Sequence, residues 1–324
     1  MLGHEWAVDL LKEHVAHQTF RHAYLFTGPQ GVGRRTLALH LAQALNCPQP
    51  IAPGEPCGEC RSCVQIEKMQ HPDLVVVQSE FQGANLKIDQ VREVQTRLAL
   101  APYQARYRVA IFLRFEEATP GASNALLKTL EEPPAQVVLI LTAESGESLL
   151  PTVVSRCELL RLRPLKIETV EQGLRDRWDI PAEEASLLAH LSSGRMGYAI
   201  ALHNSAERME RRKALLDAQH KLLSSTRVER FAYADNLSKD KDELLQALEI
   251  WQSLWRDVFL HASNSIAPQA NLDRKDEIKE LADRLGAGVA ADMVINLQRT
   301  MGLLDKNVNS RQATEVWMLN LPRL

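Results

Sequence analysis

The first half of the chain alternates short continuous apolar runs with longer stretches in which apolar residues return every three or four positions. Residues 23–27, 74–78, 109–113, 137–142 and 158–162 are the apolar runs, rich in Val, Ile, Leu and Phe, and they read as strands. Strands that lack polar alternation are buried on both faces. Joined by helical or looped connections, they predict a parallel α/β sheet with helices on both sides. After Pro164 the strand pattern stops. Residues 166–205 predict a small helical unit, with a helix over 183–193 and a break at Gly194-Arg195-Met196-Gly197. From 206 onward the pattern is that of long amphipathic helices. Leu244, Leu248, Trp251, Trp255 and Val258 form one stripe at helical spacing, and Leu297, Met301 and Leu304 form another. Such stripes usually make a helical core, and a subunit interface is their second use. The predicted domains are 1–165, 166–205 and 206–324.

Composition narrows the class. At 324 residues the chain exceeds what one simple core needs, and 45% apolar with 24% charged residues excludes a collagen-like, disordered or disulfide-scaffold chain. The 38 basic and 41 acidic residues leave a net charge of −3, so strong autonomous DNA binding through bulk charge is not expected. Met1-Leu2-Gly3-His4-Glu5-Trp6 has neither a basic stretch nor an apolar core, so no secretory leader is expected. The most apolar run, 137–143, is far short of the roughly 20 residues a membrane helix needs. The chain is expected to be cytoplasmic.

Gly28-Pro29-Gln30-Gly31-Val32-Gly33-Arg34-Arg35-Thr36 follows one strand and opens a helix, the setting of a phosphate-binding loop. A working loop has Lys after its last Gly and then Ser or Thr to ligate magnesium. Here those places hold Arg34 and Arg35, which bring a forked guanidinium and a cation where a divalent ion should sit. Thr36 lies one residue further and is rotated about 100° around the helix. The backbone cradle can still face an anion. A second metal-handling position gives the same reading. The strand 109–113 should end in Asp-Glu, yet it ends in Leu113 and Arg114, and Glu116 and Glu117 come late enough to be solvated loop acids. No functional ATP and magnesium site is expected.

Cys47, Cys57, Cys60 and Cys63 are spaced Cys-x9-Cys-x2-Cys-x2-Cys. Four thiolates close a tetrahedral zinc shell, the structural arrangement, so a zinc knuckle over 47–63 is expected. His71 is a fifth candidate, more simply read as exposed polar surface. Cys157 is remote from the other four.

Three further features complete a set: His22-Ala23-Tyr24-Leu25-Phe26 leading into the loop, Asn124-Ala125-Leu126-Leu127-Lys128-Thr129-Leu130-Glu131-Glu132-Pro133-Pro134, and Ser155-Arg156-Cys157. With the loop and the cysteines, these span roughly 3–165. The chain resembles the AAA+ family of bacterial DNA polymerase III clamp-loader subunits, and within it the delta-prime branch more than tau and gamma. The resemblance implies a RecA-like AAA+ domain, a small helical lid and an all-α C-terminal collar that closes a five-subunit ring. It implies tau or gamma and delta as partners, with the sliding clamp and primed DNA engaged through the complex at the replication fork. It also implies that Arg156 reaches ATP held by a neighbouring subunit as an arginine finger, where Ser155 and Cys157 complete the motif. An internal salt bridge is the alternative use of that side chain. Thr142 matches the first sensor position and is expected to serve a backbone group. Gly197 stands where the lid's sensor arginine would be, and Arg195 reads as surface.

Two other functions compete with a non-hydrolysing stator. An ATP-binding or ATPase subunit of the tau or gamma type is supported only by Arg34 and Thr36. A zinc-stabilised DNA-binding module outside any ring is opposed by the balanced charge.

Overall fold

The computed structural model describes every residue except Phe81, Gln82 and Asn307. It divides the chain into two compact units, Met1–Thr169 with Arg195–Tyr198, and Val170–Gly194 with Ala199–Leu324.

The first unit contains α1 (Glu5–Ala16), β1 (Ala23–Thr27), α2 (Arg34–Asn46), α3 (Arg61–Glu67), β2 (Leu74–Val77), α4 (Ile88–Leu98), β3 (Arg108–Phe112), α5 (Pro120–Glu131), β4 (Val137–Ala143), α6 (Pro151–Val154) and β5 (Glu158–Arg161). The strands form one sheet in the order β2-β3-β4-β1-β5, all pairs parallel. The five expected strands are these five, with ends shifted by no more than one residue. Alternate side chains feed two apolar layers, as the period of two requires. Tyr24, Phe26, Ile111, Ile140 and Leu160 pack with Leu37 and Leu41 of α2 on one face. Leu25, Ala110, Phe112, Leu139 and Leu141 pack with Val91 and Val94 of α4 and Leu126 and Leu130 of α5 on the other. Every residue of β1 and β4 is buried, which explains their lack of polar alternation.

Local chemistry sets the helix ends. Thr119 caps α5 by accepting a hydrogen bond from Ala122 N at 3.2 Å, with Pro120 at the first helical position. Pro133 and Pro134 prevent its continuation. Its last turn is docked to β1, because His22 Nε2 donates to Leu130 O at 2.9 Å.

The second unit is helical. It holds most of α7 (Ile167–Trp178), then α8 (Ala182–Ser192), most of α9 (Met196–His203), α10 (Ala206–Ser224), α11 (Arg227–Leu237), α12 (Lys241–Ala262), α13 (Lys275–Asp305) and α14 (Ser310–Leu319). The stripe from Leu244 to Val258 is fully buried along α12, joined by Leu297 and Leu304 of α13, with Met301 packed against them. Both stripes are core. Trp251 stacks on Trp317 with ring centroids 4.8 Å apart, and its Nε1 donates to Leu215 O at 2.8 Å. Arg230 is buried without a carboxylate partner among the described residues. Its guanidinium instead donates to five backbone carbonyls, those of Leu222, Leu223, Met318, Leu321 and Pro322, at 2.7 to 3.3 Å.

In the first unit, Asp73 at the start of β2 is the buried counter-charge. It accepts from the backbone N–H groups of Tyr103 (2.7 Å), Gln104 (2.7 Å) and Ala105 (2.9 Å), and from Arg108 at 3.2 Å. Burial alone would push its carboxyl up, but these four donors together hold it below the ordinary value. A depressed carboxyl stabilises the fold fully above its unfolded pKa of about 3.9 and loses that contribution as pH falls through the folded value. Asp73→Ala is expected to cost about 3–5 kcal/mol in urea unfolding at neutral pH, since it leaves the buried Arg108 cation with carbonyl acceptors but no counter-charge, and three N–H groups without their acceptor. The difference from the natural chain should shrink as pH is lowered below about 4.

Candidate functional site

The C-terminal ends of β1, β3 and β4 meet where the strand order turns back, the place at which parallel α/β sheets present ligand sites. The loop from Gly28 to Gly33 leaves β1 there. Gly28, Gly31 and Gly33 have φ of 144°, 82° and 116°, values that disfavour any side chain. Gly28 N donates to Ala143 O and Glu144 O at 3.2 and 3.1 Å, which ties the turn to the end of β4. Gly31 O accepts from Gly197 N at 2.8 Å, and a Cβ on Gly197 would lie 2.8 Å from that same oxygen. Glycine at 197 therefore lets its backbone close against the loop. His4, buried in the unit, has Nε2 3.1 Å from Val32 O and braces the loop from the other side.

Arg34, Arg35 and Thr36 part company at the start of α2. Arg35 and Thr36 are exposed, whereas Arg34 turns inward and is only 8% exposed. Its guanidinium lies 3.8 Å from a carboxylate oxygen of Glu116, which is too long for a hydrogen bond. Arg34 Nη1 and Glu116 Oε2 are both buried without a hydrogen-bond partner among the described residues. Burial lowers the Arg34 pKa against the fields of Glu116 and Glu144, and burial raises that of Glu116.

At the end of β3, Leu113 enters the apolar layer beneath α2. Arg114 adopts φ 52° and donates through Nε to both carboxylate oxygens of Glu117 at 3.0 and 2.9 Å, and through Nη2 to Ser79 Oγ at 2.9 Å. Ser79 also donates to Glu117, and Gly83 N reaches it at 2.8 Å. Thr142 Oγ1 accepts from Arg114 N at 3.1 Å, the backbone service expected of it. Glu116 and Glu117 are not solvated loop acids, as the sequence suggests. Both are largely buried, each against an arginine. Sequence order hides the first partner, which comes from α2, whereas Arg114 stands only three residues before Glu117.

Ser155-Arg156-Cys157 divides its labour across one turn. Ser155 Oγ donates to Thr152 O at 3.2 Å. Cys157 faces the apolar layer, where burial pushes its thiol up to about 12 and keeps it unreactive. Arg156 points outward, 34% exposed, with Nη1 donating to Thr152 O at 2.9 Å and Nη2 paired with Glu131 Oε1 at 2.6 Å. Glu131 lies inside the Leu130-Glu131-Glu132-Pro133-Pro134 run, yet no sequence signal ties it to Arg156.

Cys47, Cys57, Cys60 and Cys63 converge between α2 and α3, their sulfurs all within 4.8 Å of one another. Cys60 Sγ caps α3 by accepting from Cys63 N at 3.4 Å, and Cys57 N and Cys60 N likewise donate to Cys47 Sγ and Cys57 Sγ at 3.4 and 3.3 Å. The N–H groups of Cys60 and Glu59 hold the Cys57 thiol down to about 6, whereas burial pushes Cys63 up. Four soft donors at this separation, each served by or serving a backbone amide, fit a metal such as zinc. His71 is not a fifth ligand and not surface. It is buried, and its Nδ1 accepts from Asp73 N at 3.1 Å. Arg195, expected on the surface, is half-buried with its guanidinium 4.5 Å from the centre of the Tyr198 ring.

Sheet order, glycine loop and helix together make the first unit a RecA-like AAA+ domain. The family model for the DNA polymerase III delta subunit matches residues 3–166. Bacillus subtilis DNA polymerase III subunit delta-prime is 30% identical over 255 residues, 78% of this chain and 75% of that one. The chain belongs to the delta-prime, tau and gamma family of DNA polymerase III clamp-loader subunits. Pseudomonas aeruginosa delta-prime is 36% identical over 207 residues, covering 62% of this chain and 61% of its own. The Bacillus subtilis tau subunit is 31% identical across 64% of this chain but only 37% of its own length. In fold, the chain is similar to a DNA polymerase III gamma subunit-related protein of Thermotoga maritima, with a TM-score of 0.51 at 18% identity over 97% of each chain. Among the described residues no helix is long and apolar enough to cross a membrane.

The loop's geometry depends on the missing side chain at Gly28. An added Cβ would lie 2.3 Å from Leu162 O at a φ of 144°. Gly28→Ala is expected to cost at least about 1–3 kcal/mol in thermal or urea unfolding.

Proposed function

We propose that this chain is a non-hydrolysing stator of the clamp loader, which acts on ATP in trans through Arg156. The observation that carries the reading is a pair of arginines, one at the position of the phosphate-binding lysine and one at the strand end that should handle the metal. Arg34 lies against Glu116 where a lysine would meet phosphate, and Arg114 is chelated by Glu117 where an acid would hold magnesium. A divalent ion brought there would face two guanidinium cations, and Glu117 is already committed to Arg114. Ser155-Arg156-Cys157, in contrast, keeps a cation at the surface on a buried anchor. A guanidinium placed on a neighbour's γ-phosphate offsets charge developing in phosphoryl transfer, and such fingers contribute about 10³–10⁵ in rate.

On this reading residues 166–205 serve as lid and 206–324 as a collar that joins a five-subunit ring with delta and tau or gamma subunits. The ring opens the sliding clamp and places it on primed DNA. The four cysteines hold structural zinc, which cross-links the 47–63 segment to the end of α2.

In a reconstituted clamp loader, Arg156→Ala is expected to lower the DNA-stimulated ATPase rate at the neighbouring site by more than about tenfold. The isolated chain should show no magnesium-dependent ATP turnover. An unchanged rate in the first assay refutes the finger, and turnover in the second refutes the stator. Elemental analysis of the purified chain should find one zinc per molecule, lost in Cys60→Ser together with part of the thermal stability.

A further inference from the structure

The Arg156 guanidinium is held by the last residue of α5. We infer that Glu131 is a positioning residue for Arg156, an inference that rests on the finger reading above.

The geometry separates the two arms of the guanidinium. Nη1 is anchored to its own turn through Thr152 O at 2.9 Å, with Ser155 Oγ 3.5 Å away. That contact leaves the plane of the group free to swing about the anchor. The Glu131 carboxylate removes this freedom by taking Nη2 at 2.6 Å, a short charge-assisted bond. With the covalent link at Nε as a third point, these two contacts fix the plane of the group, so the remaining N–H groups project in one direction.

Glu131 can act this way because it is itself held. His22 Nε2 donates to Leu130 O, one residue before it, and Pro133 and Pro134 end the helix just beyond. Gln95 Nε2 donates to Ala125 O and to Thr129 Oγ1, at 2.8 and 2.9 Å, and ties the same helix to α4. The His22 run, the Glu131 run and the Ser155-Arg156-Cys157 turn thus form one chain of contacts from β1 to the exposed guanidinium.

Stability does not account for the pair. Both side chains are substantially exposed, at 34% and 50%, and exposed ion pairs contribute only about 0–1 kcal/mol. A group that acts by position loses far more rate than stability when its orientation is released.

The test uses the full reconstituted clamp loader, stimulated by primed DNA and the sliding clamp, with Glu131→Ala, Glu131→Gln and Arg156→Ala assayed side by side. Glu131→Ala is expected to lower kcat for ATP about tenfold with KM and melting temperature nearly unchanged. Glu131→Gln keeps an oxygen that accepts from Nη2 and should recover most of the rate. A Glu131→Ala complex that turns over at or above the natural rate overturns the inference, since the carboxylate would then be idle or a restraint. Glu131→Gln as slow as Glu131→Ala overturns it too. If Arg156→Ala itself leaves the rate unchanged, the finger reading has failed and the positioning role falls with it. If Arg156→Ala is slow and Glu131→Ala is not, only the positioning role fails.

Discussion

The end of β1 has nowhere to put a side chain. Its next residue, Gly28, is held between the carbonyls that finish β4 and the Leu162 carbonyl just past β5. Three strand ends therefore converge on a position where even a methyl group would collide. That steric limit forces the backbone into the tight turn that starts α2, and it aims the helix N-terminus at the mouth of the sheet. Gly31 and Gly197 repeat the logic one layer out, where two backbones meet with only hydrogens between them. The backbone frame of the glycine loop is thereby fixed.

The side chains around that frame are governed by electrostatics. Here Arg34 and Arg114 face Glu116 and Glu117. The two pairs are unlike. Arg114 and Glu117 make paired short bonds, with Ser79 and Gly83 completing the set, and are satisfied. Arg34 and Glu116 stand 3.8 Å apart with an unmatched polar atom on each side, so burial shifts the pKa of both. The satisfied pair fixes the turn after β3, and the looser one leaves the base of the loop polar.

Much of this was legible from periodicity and spacing. The strands appeared as continuous apolar runs because both faces are covered, and the α12 stripe appeared because one face of a long helix is buried against α13. The four cysteines were legible because ligand spacing is local. Glu116, Glu117, His71 and Arg195 were misread because polarity and loop position carry no mark of burial, whether the partner is remote, as for Glu116, or two or three residues away, as for the other three. Glu116 meets a helix more than 70 positions earlier, and His71 is buried with its Nδ1 accepting from Asp73 N. Glu131 stands in the Glu131-Glu132-Pro133-Pro134 run, but its partner lies beyond β4.

Arg230 sets an order of events. Three of its five carbonyl acceptors, those of Met318, Leu321 and Pro322, come from a segment synthesised long after the helix that carries it. Until that segment leaves the ribosome, the cation has no complete shell and must stay in water, because burying it half-satisfied is costly. The helical unit therefore closes late, whereas the sheet unit already has its strands and both apolar layers once Leu162 has emerged. A growing chain stalled between these two points would carry an assembled sheet and an open helical half.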